Sequence, residues 1–151
     1  MATLSVQIDE KVTINSRDFS QERSTTISGV NNVDARVFVA TSTEMDLIKF
    51  GAADGAGQFT DGAIKYLRIT HLGSSDNLEV RIVGTDEEYA VQVPGGGSYV
   101  LFNQEVDATQ TSTTPAVTAD GTVAIAFNDI NKISIASDNA DITAEYFIAT
   151  T

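Results

Sequence analysis

Apolar and polar residues alternate along most of this chain, in short runs separated by turn-forming residues. Leu4, Val6 and Ile8 fall on one face of a predicted strand, and Val12 and Ile14 continue the alternation after three charged residues. A period of two is typical of a strand with one buried face. Similar runs recur to the C-terminus and predict about ten short strands. No helix is predicted, because the one amphipathic candidate, at 16–23, is too short.

The clearest strand pair is predicted at residues 66–84. Two alternating segments, 66–72 and 78–84, flank a polar turn that begins at Gly73. We interpret them as an antiparallel hairpin, with its outward charges Arg68, Glu79 and Arg81 placed for weak cross-strand pairing. The predicted inward face consists of Leu67, Ile69, Leu78, Val80 and Ile82.

These strands and turns predict an all-β fold, an antiparallel β-sandwich resembling a jelly roll. The length of 151 residues suits a single domain spanning 1–151. Two long connections interrupt the strands. Residues 52–62, rich in Gly and Asp, are predicted to form an exposed loop. Residues 104–121 are polar and rich in Thr, and are predicted to form a long polar loop.

Charge and composition narrow the classes of partner. The net charge is −12, and after Arg81 only Lys132 opposes ten acidic residues. Such a surface repels phosphate backbones, so no nucleic-acid partner is expected. No apolar run approaches the length of a membrane helix, and the first residues do not resemble a secretory signal. We therefore expect no membrane partner and no secretion signal.

The sequence offers little catalytic equipment. Cys is absent, which excludes disulfides and thiolate chemistry, and His71 is the single His. A hydrolase would have to combine His71 with a residue such as Ser98 and with Asp76, yet no G-x-S-x-G motif is present. We interpret His71 as a strand end beside a turn, and we predict no enzymatic activity. A hydrolase that uses His71 remains the alternative.

Ligand sites are predicted only weakly. Calcium prefers oxygen ligands, and two short connections carry them: Asp138, Asn139 and Asp141, and then Asn128, Asp129 and Asn131. Neither contains an EF-hand pattern, and the same residue types make tight turns, so no cofactor is predicted and calcium stays an open alternative. Residues 94–97 (PGGG) are predicted to form a turn. Trp is absent, and packing is expected for the four tyrosines, Tyr66, Tyr89, Tyr99 and Tyr146.

The segment KYLRITHLGSSDNLEVRIVGTDEEYAVQVPGGGSYVLFN resembles small β-sandwich virion proteins of tailed bacteriophages. In those proteins a strand such as LRIT leads through a polar turn to one such as LEVRIVG, and a segment such as VPGGGSYVL follows. The resemblance covers 64–102 and, more loosely, 133–149; residues 104–121 have no counterpart. It implies a structural role in the virion, in the head, at the head–tail joint or in the tail.

We therefore predict a capsid decoration or cement protein that binds neighbouring shell subunits through strand edges and loops. Its expected partners are further copies of itself, as a homotrimer, and other virion proteins such as the major capsid protein. Its expected location is the virion, assembled in the host cytoplasm. Alternatives are a tail or head–tail accessory protein and a carbohydrate-binding β-sandwich module. The predicted contact residues lie in the two long loops: Phe59, Thr60, Asp61, Gln104, Val106, Thr111, Thr114 and Val117.

Overall fold

The computed structural model of the protein describes residues 2–52, 55, 57–60, 64–84, 88–102, 109–110, 116–117, 123–124 and 127–151. Every regular element in these ranges is a β-strand, and no helix that could span a membrane occurs in them. The predicted all-β class is thus confirmed. The strands are β1 (Ala2–Glu10), β2 (Thr13–Ile14), β3 (Arg17–Asp18), β4 (Gln21–Val30), β5 (Asn32–Ala40), β6 (Met45–Gly51), β7 (Gln58–Thr60), β8 (Ile64–His71), β9 (Asn77–Val83), β10 (Glu88–Pro94), β11 (Ser98–Phe102), β12 (Thr109–Gln110), β13 (Ala116–Val117), β14 (Val123–Ala124), β15 (Phe127–Asn128), β16 (Lys132–Ser137) and β17 (Ile142–Thr150).

Two larger sheets enclose the main hydrophobic core. One has the strand order β11-β8-β17-β5, and the other has the order β10-β9-β16-β6-β7. Their pairs are antiparallel except for β6 with β7, which run parallel. Inward side chains of both sheets, including Leu67 and Ile148 from one and Val80 and Ile133 from the other, form one buried cluster. This arrangement is compatible with a β-sandwich.

The predicted hairpin at 66–84 is wrong in its pairing and right in its buried face. Strand β8 pairs with β11 and β17, whereas β9 pairs with β10 and β16, so the two strands lie in different sheets. The polar turn between them crosses from one sheet to the other. Of the outward charges, the two arginines pair with other residues, Arg68 with Glu145 and Arg81 with Glu44 and Glu88. All five predicted inward residues are fully buried: Leu67, Ile69, Leu78, Val80 and Ile82.

Four connections cross between the sheets at one end of the molecule, which we call the crossover end. They are residues 41–44, 72–76, 95–97 and 138–141, and they join β5 to β6, β8 to β9, β10 to β11 and β16 to β17. Backbone hydrogen bonds link them to each other and to adjacent strand ends. Gly96 N–H donates to the His71 carbonyl at 3.1 Å, and Ser137 N–H donates to the Thr41 carbonyl at 2.8 Å.

Residues 2–30 form a long two-stranded ribbon, which we call the N-terminal ribbon. Strands β1 and β4 pair from Ala2 with Val30 to Glu10 with Gln21, with a register shift near Gly29, whose φ of +76° suits glycine. Beyond them, β2 and β3 form a tip closed by Asn15 and Ser16, both at positive φ, as a two-residue hairpin loop often requires.

The base of the N-terminal ribbon packs on the outer face of the four-stranded sheet. Ile27 and Val30 of β4 are buried there against Ala149 of β17. Partly buried apolar side chains from both layers complete this second cluster: Leu4, Val6, Tyr66, Phe102 and Phe147. Within the part of the chain that the structure describes, the base of the ribbon packs on the sheet and the side chains of its tip are exposed.

The two predicted loops contain strands. In the range 52–62, residues 58–60 form β7, the edge strand of the five-stranded sheet. In the range 104–121, β12 pairs with β15 and β13 pairs with β14. The structure differs from the loop predictions at these positions, because segments of two or three residues are too short to show an alternating pattern. The other residues of 104–121 lie outside the described residues.

Candidate functional site

His71 belongs to the core of the crossover end. Its ring is fully buried, and its Nδ1 accepts a hydrogen bond from the Gly73 N–H at 2.9 Å, which places the ring proton on Nε2. The Nε2 atom is buried and has no hydrogen-bond partner among the described residues. The Ser98 hydroxyl, the nucleophile of the hydrolase alternative, pairs with Thr70 Oγ1 at 2.9 Å on the other face of β8. The structure therefore does not bring Ser98 and His71 together.

The candidate calcium ligands at 138–141 make turn contacts. The Asp138 carboxylate accepts hydrogen bonds from the backbone N–H and the Nδ2 of Asn77, at 2.9 and 2.6 Å, and these lower the pKa of Asp138. Asn139 Nδ2 donates to Asp76 at 3.2 Å. These bonds tie two crossover connections together. The described residues contain no group of three or more His, Cys, Asp or Glu side chains placed to hold a metal ion.

The tyrosines pack as predicted. Tyr146 is buried and donates its hydroxyl to Asp34 at 2.5 Å, and burial together with this bond raises the pKa of Tyr146 to about 12. Tyr89 and Tyr99 share a hydrogen bond of 2.6 Å between their hydroxyls, and burial raises the pKa of Tyr99. Tyr66 packs edge-on against Phe102 and Phe147. These contacts turn the rings toward the protein's own clusters.

The structure describes three of the eight predicted contact residues. Phe59 belongs to the core, where its ring packs against Phe50 with centroids 6.3 Å apart, so its side chain is not part of the exposed surface, and its role as a contact residue stays a prediction. Side chains alternate along β7, so Phe59 faces inward and Thr60 is exposed. Val117 lies in β13 and pairs with Val123. The remaining predicted residues lie outside the described residues: Asp61, Gln104, Val106, Thr111 and Thr114.

The outer part of the N-terminal ribbon carries exposed apolar side chains, and three of them, Ile8, Val12 and Ile14, lie on the face that the alternating pattern predicts to be buried. Ile14 and Phe19 are 55% and 53% exposed, and Ile8 and Val12 are exposed as well. On β1, Ile8 shares the face of Leu4 and Val6, which pack on the sheet. The alternating pattern had already indicated this apolar face, but it did not show that the body ends before the face does.

A second exposed apolar surface lies on β5, the edge strand of the four-stranded sheet. We call the outward side chains Val33, Ala35, Val37 and Val39 the β5 stripe; all four are exposed, with Val37 at 64%. Within the described residues β5 pairs only with β17, so its other edge is open. Long apolar edge strands are normally avoided because they promote association. A shallow depression of about 160 Å³ borders the stripe, lined partly by Ala35, Val37, Arg68, Glu145 and Phe147.

The ribbon tip and the β5 stripe therefore form the candidate functional site. The stripe consists of aliphatic side chains, and the ribbon tip adds the aromatic Phe19 to its own aliphatic residues, so both surfaces are suited to protein contacts. Contiguous exposed apolar surface of this kind marks interaction sites in soluble proteins. Comparison of the chain with protein-family models, with curated proteins and with solved structures found no match.

Proposed function

We propose that this protein is a non-enzymatic structural component of a tailed-phage particle, a capsid decoration or cement protein that binds neighbouring shell subunits. The observation that carries this proposal is the pair of exposed apolar surfaces, on the ribbon tip and on β5, attached to a well-packed β body. A body of this kind provides rigid support for binding surfaces. We propose a phage particle as the location because the sequence resembles small virion proteins of tailed bacteriophages.

The strand orders support a jelly roll as the finer description of the fold. The sheets β5-β17-β8-β11 and β6-β16-β9-β10 place each crossover pair opposite one another, as two interleaved Greek keys do. Jelly rolls serve both as viral capsid domains and as lectins, so the fold by itself does not select the function. The selection rests on the chemistry of the exposed surfaces.

That chemistry favours a protein partner over a carbohydrate. Sugar sites usually offer an aromatic platform with convergent polar groups, whereas the β5 stripe consists of valines and one alanine. The tyrosines pack in the two clusters described above, and among the described residues Phe19 is the large aromatic side chain that is exposed. Valine-rich surfaces gain free energy by excluding water against another apolar surface, at about 25 cal/mol per Å² of apolar area buried.

Purified particles of the virus that encodes this chain provide the test. We expect mass spectrometry to find the protein in the particles, and cryo-imaging to place it regularly on the outer surface of the head. Its absence from particles would overturn the proposal. Density confined to the tail would overturn the decoration role in favour of a tail or head–tail accessory protein. A glycan array with specific binders would support the carbohydrate-binding alternative.

A further inference from the structure

We infer that the tip of one copy's N-terminal ribbon packs on the β5 stripe of a second copy. The inference rests on the proposed function, since it names the first partner of the same two surfaces. It concerns contact between copies of this chain, which takes place whether or not a shell is present. The ribbon and the stripe therefore act as complementary halves of one interface.

The first argument concerns the ribbon. Beyond Val6 it continues through Ile14 for roughly 26 Å, at about 3.3 Å per residue. An isolated two-stranded hairpin is only marginally stable in water, and it usually needs further strands or another element packed on its apolar face. The base of the ribbon packs against Tyr66 and Phe147 of the four-stranded sheet, whereas the apolar side chains of the tip are exposed. A surface that packs against the apolar face of the tip would supply this support.

The second argument concerns the stripe. Side chains on a strand stand roughly perpendicular to the sheet, so a strand added at the β5 edge would leave Val33, Val37 and Val39 largely exposed. Covering them requires an element laid on the face. The ribbon base already packs in this manner on the same face. The depressions beside the ribbon and beside the stripe share Arg68 and Phe147 in their linings, so the two regions are continuous.

The third argument is charge. The N-terminal ribbon carries three basic residues, Lys11, Arg17 and Arg23, against four acidic residues, which makes it nearly neutral. The rest of the chain carries the other 17 acidic residues and six basic ones. Two bodies with that excess of negative charge repel each other, whereas a nearly neutral ribbon approaches a body with little repulsion. Charge therefore favours a ribbon, and not a second body, as the element that covers the stripe.

The absence of Cys allows a direct test by disulfide trapping. Variants Ile14→Cys and Val37→Cys, made in full-length chains of different tag size, are mixed and oxidised mildly. We expect the mixed Ile14–Val37 product to predominate over both homodimers. Ser75→Cys, an exposed position at the crossover end, is the matched control and should trap little. Predominant Val37–Val37 product would show edge-to-edge pairing, and predominant Ile14–Ile14 product would show tip-to-tip pairing; each would overturn the inference, as would the absence of any trapped product.

Light scattering on the cysteine-free chain gives a second readout. We expect a solution mass above that of one chain, and at least a tenfold weaker self-association for Val37→Asp with an unchanged circular dichroism spectrum. Val100→Asp places the same charge at an exposed position on β11 of the same sheet and should associate as the unmodified chain does. A monomeric unmodified chain, or equal loss of association in both variants, would overturn the inference. A chain that is monomeric yet present in particles would leave the proposed function standing, whereas self-association without incorporation would remove only the proposed function.

Discussion

Replacement of Asp46 by Asn tests how two strands of the five-stranded sheet are joined. The Asp46 carboxylate, on β6, accepts hydrogen bonds from Lys132 Nζ at 2.8 Å and from Ser134 Oγ at 2.9 Å, both on β16. Lys49 Nζ lies 3.1 Å from the same carboxylate. Ser134 is fully buried, so this carboxylate satisfies a hydroxyl that is inaccessible to water. Asn keeps an acceptor for Ser134 and removes the negative charge.

The size of the effect follows from the pKa of Asp46. Hydrogen bonds from Lys132, Lys49 and Ser134, in that order, lower this pKa from 3.8 to about 2. A folded-state pKa below the unfolded value means that the contribution is fully present above pH 3.8 and is lost as the pH falls through about 2. The full shift corresponds to about 2.4 kcal/mol at 1.36 kcal/mol per unit. Because the side chain is 31% exposed, solvent screening reduces the expected contribution to about 1 kcal/mol.

The assay is urea unfolding of the unmodified chain and of Asp46→Asn at a series of pH values from neutral to about pH 2. We expect the unmodified chain to be more stable by about 1 kcal/mol at neutral pH, and the difference to vanish at the acid end. Ser134→Ala, which keeps both lysine contacts, should retain most of the pH dependence and serves as the control. A difference between Asp46→Asn and the unmodified chain that stays constant over the whole range would refute the electrostatic reasoning.

Two further predictions concern other parts of the body. A Cβ on Gly95 would lie 2.6 Å from the Ser74 carbonyl carbon, so Gly95→Ala should lower the free energy of unfolding in urea by about 1–3 kcal/mol, and unchanged stability would contradict the close approach of the two crossover connections. Tyr146→Phe removes the donor to Asp34 and should cost about 1 kcal/mol in the same assay. Because the pKa of Tyr146 is raised from 10.0 to about 12, its contribution is fully present below pH 10 and is lost as the pH rises through about 12, so identical alkaline unfolding profiles for the two chains would refute the assignment.

The alternating pattern predicted which side chains are buried far better than which strands are neighbours. Leu67, Ile69 and Val80 were assigned to an inward face, and all three are fully buried. The period of two reports only that one face of a strand meets apolar surroundings. It does not distinguish a hairpin partner in the same sheet from a facing strand in the other sheet. The neighbours of β8 in the sheet are β11 and β17, and the ion pair between Arg68 and Glu145 joins β8 to β17, which lies far along the chain.

The same limit explains the candidate site. The pattern predicted the apolar face of the ribbon, but it could not show how much of that face the body covers. Coverage depends on where the ribbon leaves the sheet, which is fixed by the shift at Gly29 and by packing of Ile27. Glycine and polar content directed the contact prediction to 52–62 and 104–121, because loops often carry function. Phe59, predicted as a contact there, is a core residue.

The position of the candidate site in the chain follows from the path of β5. This strand begins at Asn32, directly after the ribbon, and its end at Ala40 leads into the crossover end. The ribbon therefore joins the body at the opposite end, where Asn31 N–H donates to the Thr150 carbonyl at 2.9 Å. Residues 2–40 thus contain both candidate surfaces, joined by a short segment that is fixed to β17. Because one chain carries a ribbon and a stripe that differ from each other, the contact that we infer between copies would join unlike surfaces, and such contacts close into rings when the rotation between neighbours allows it. The predicted homotrimer is one such ring, and it requires that the joint at Gly29 and Asn31 hold the ribbon at one defined angle to the stripe.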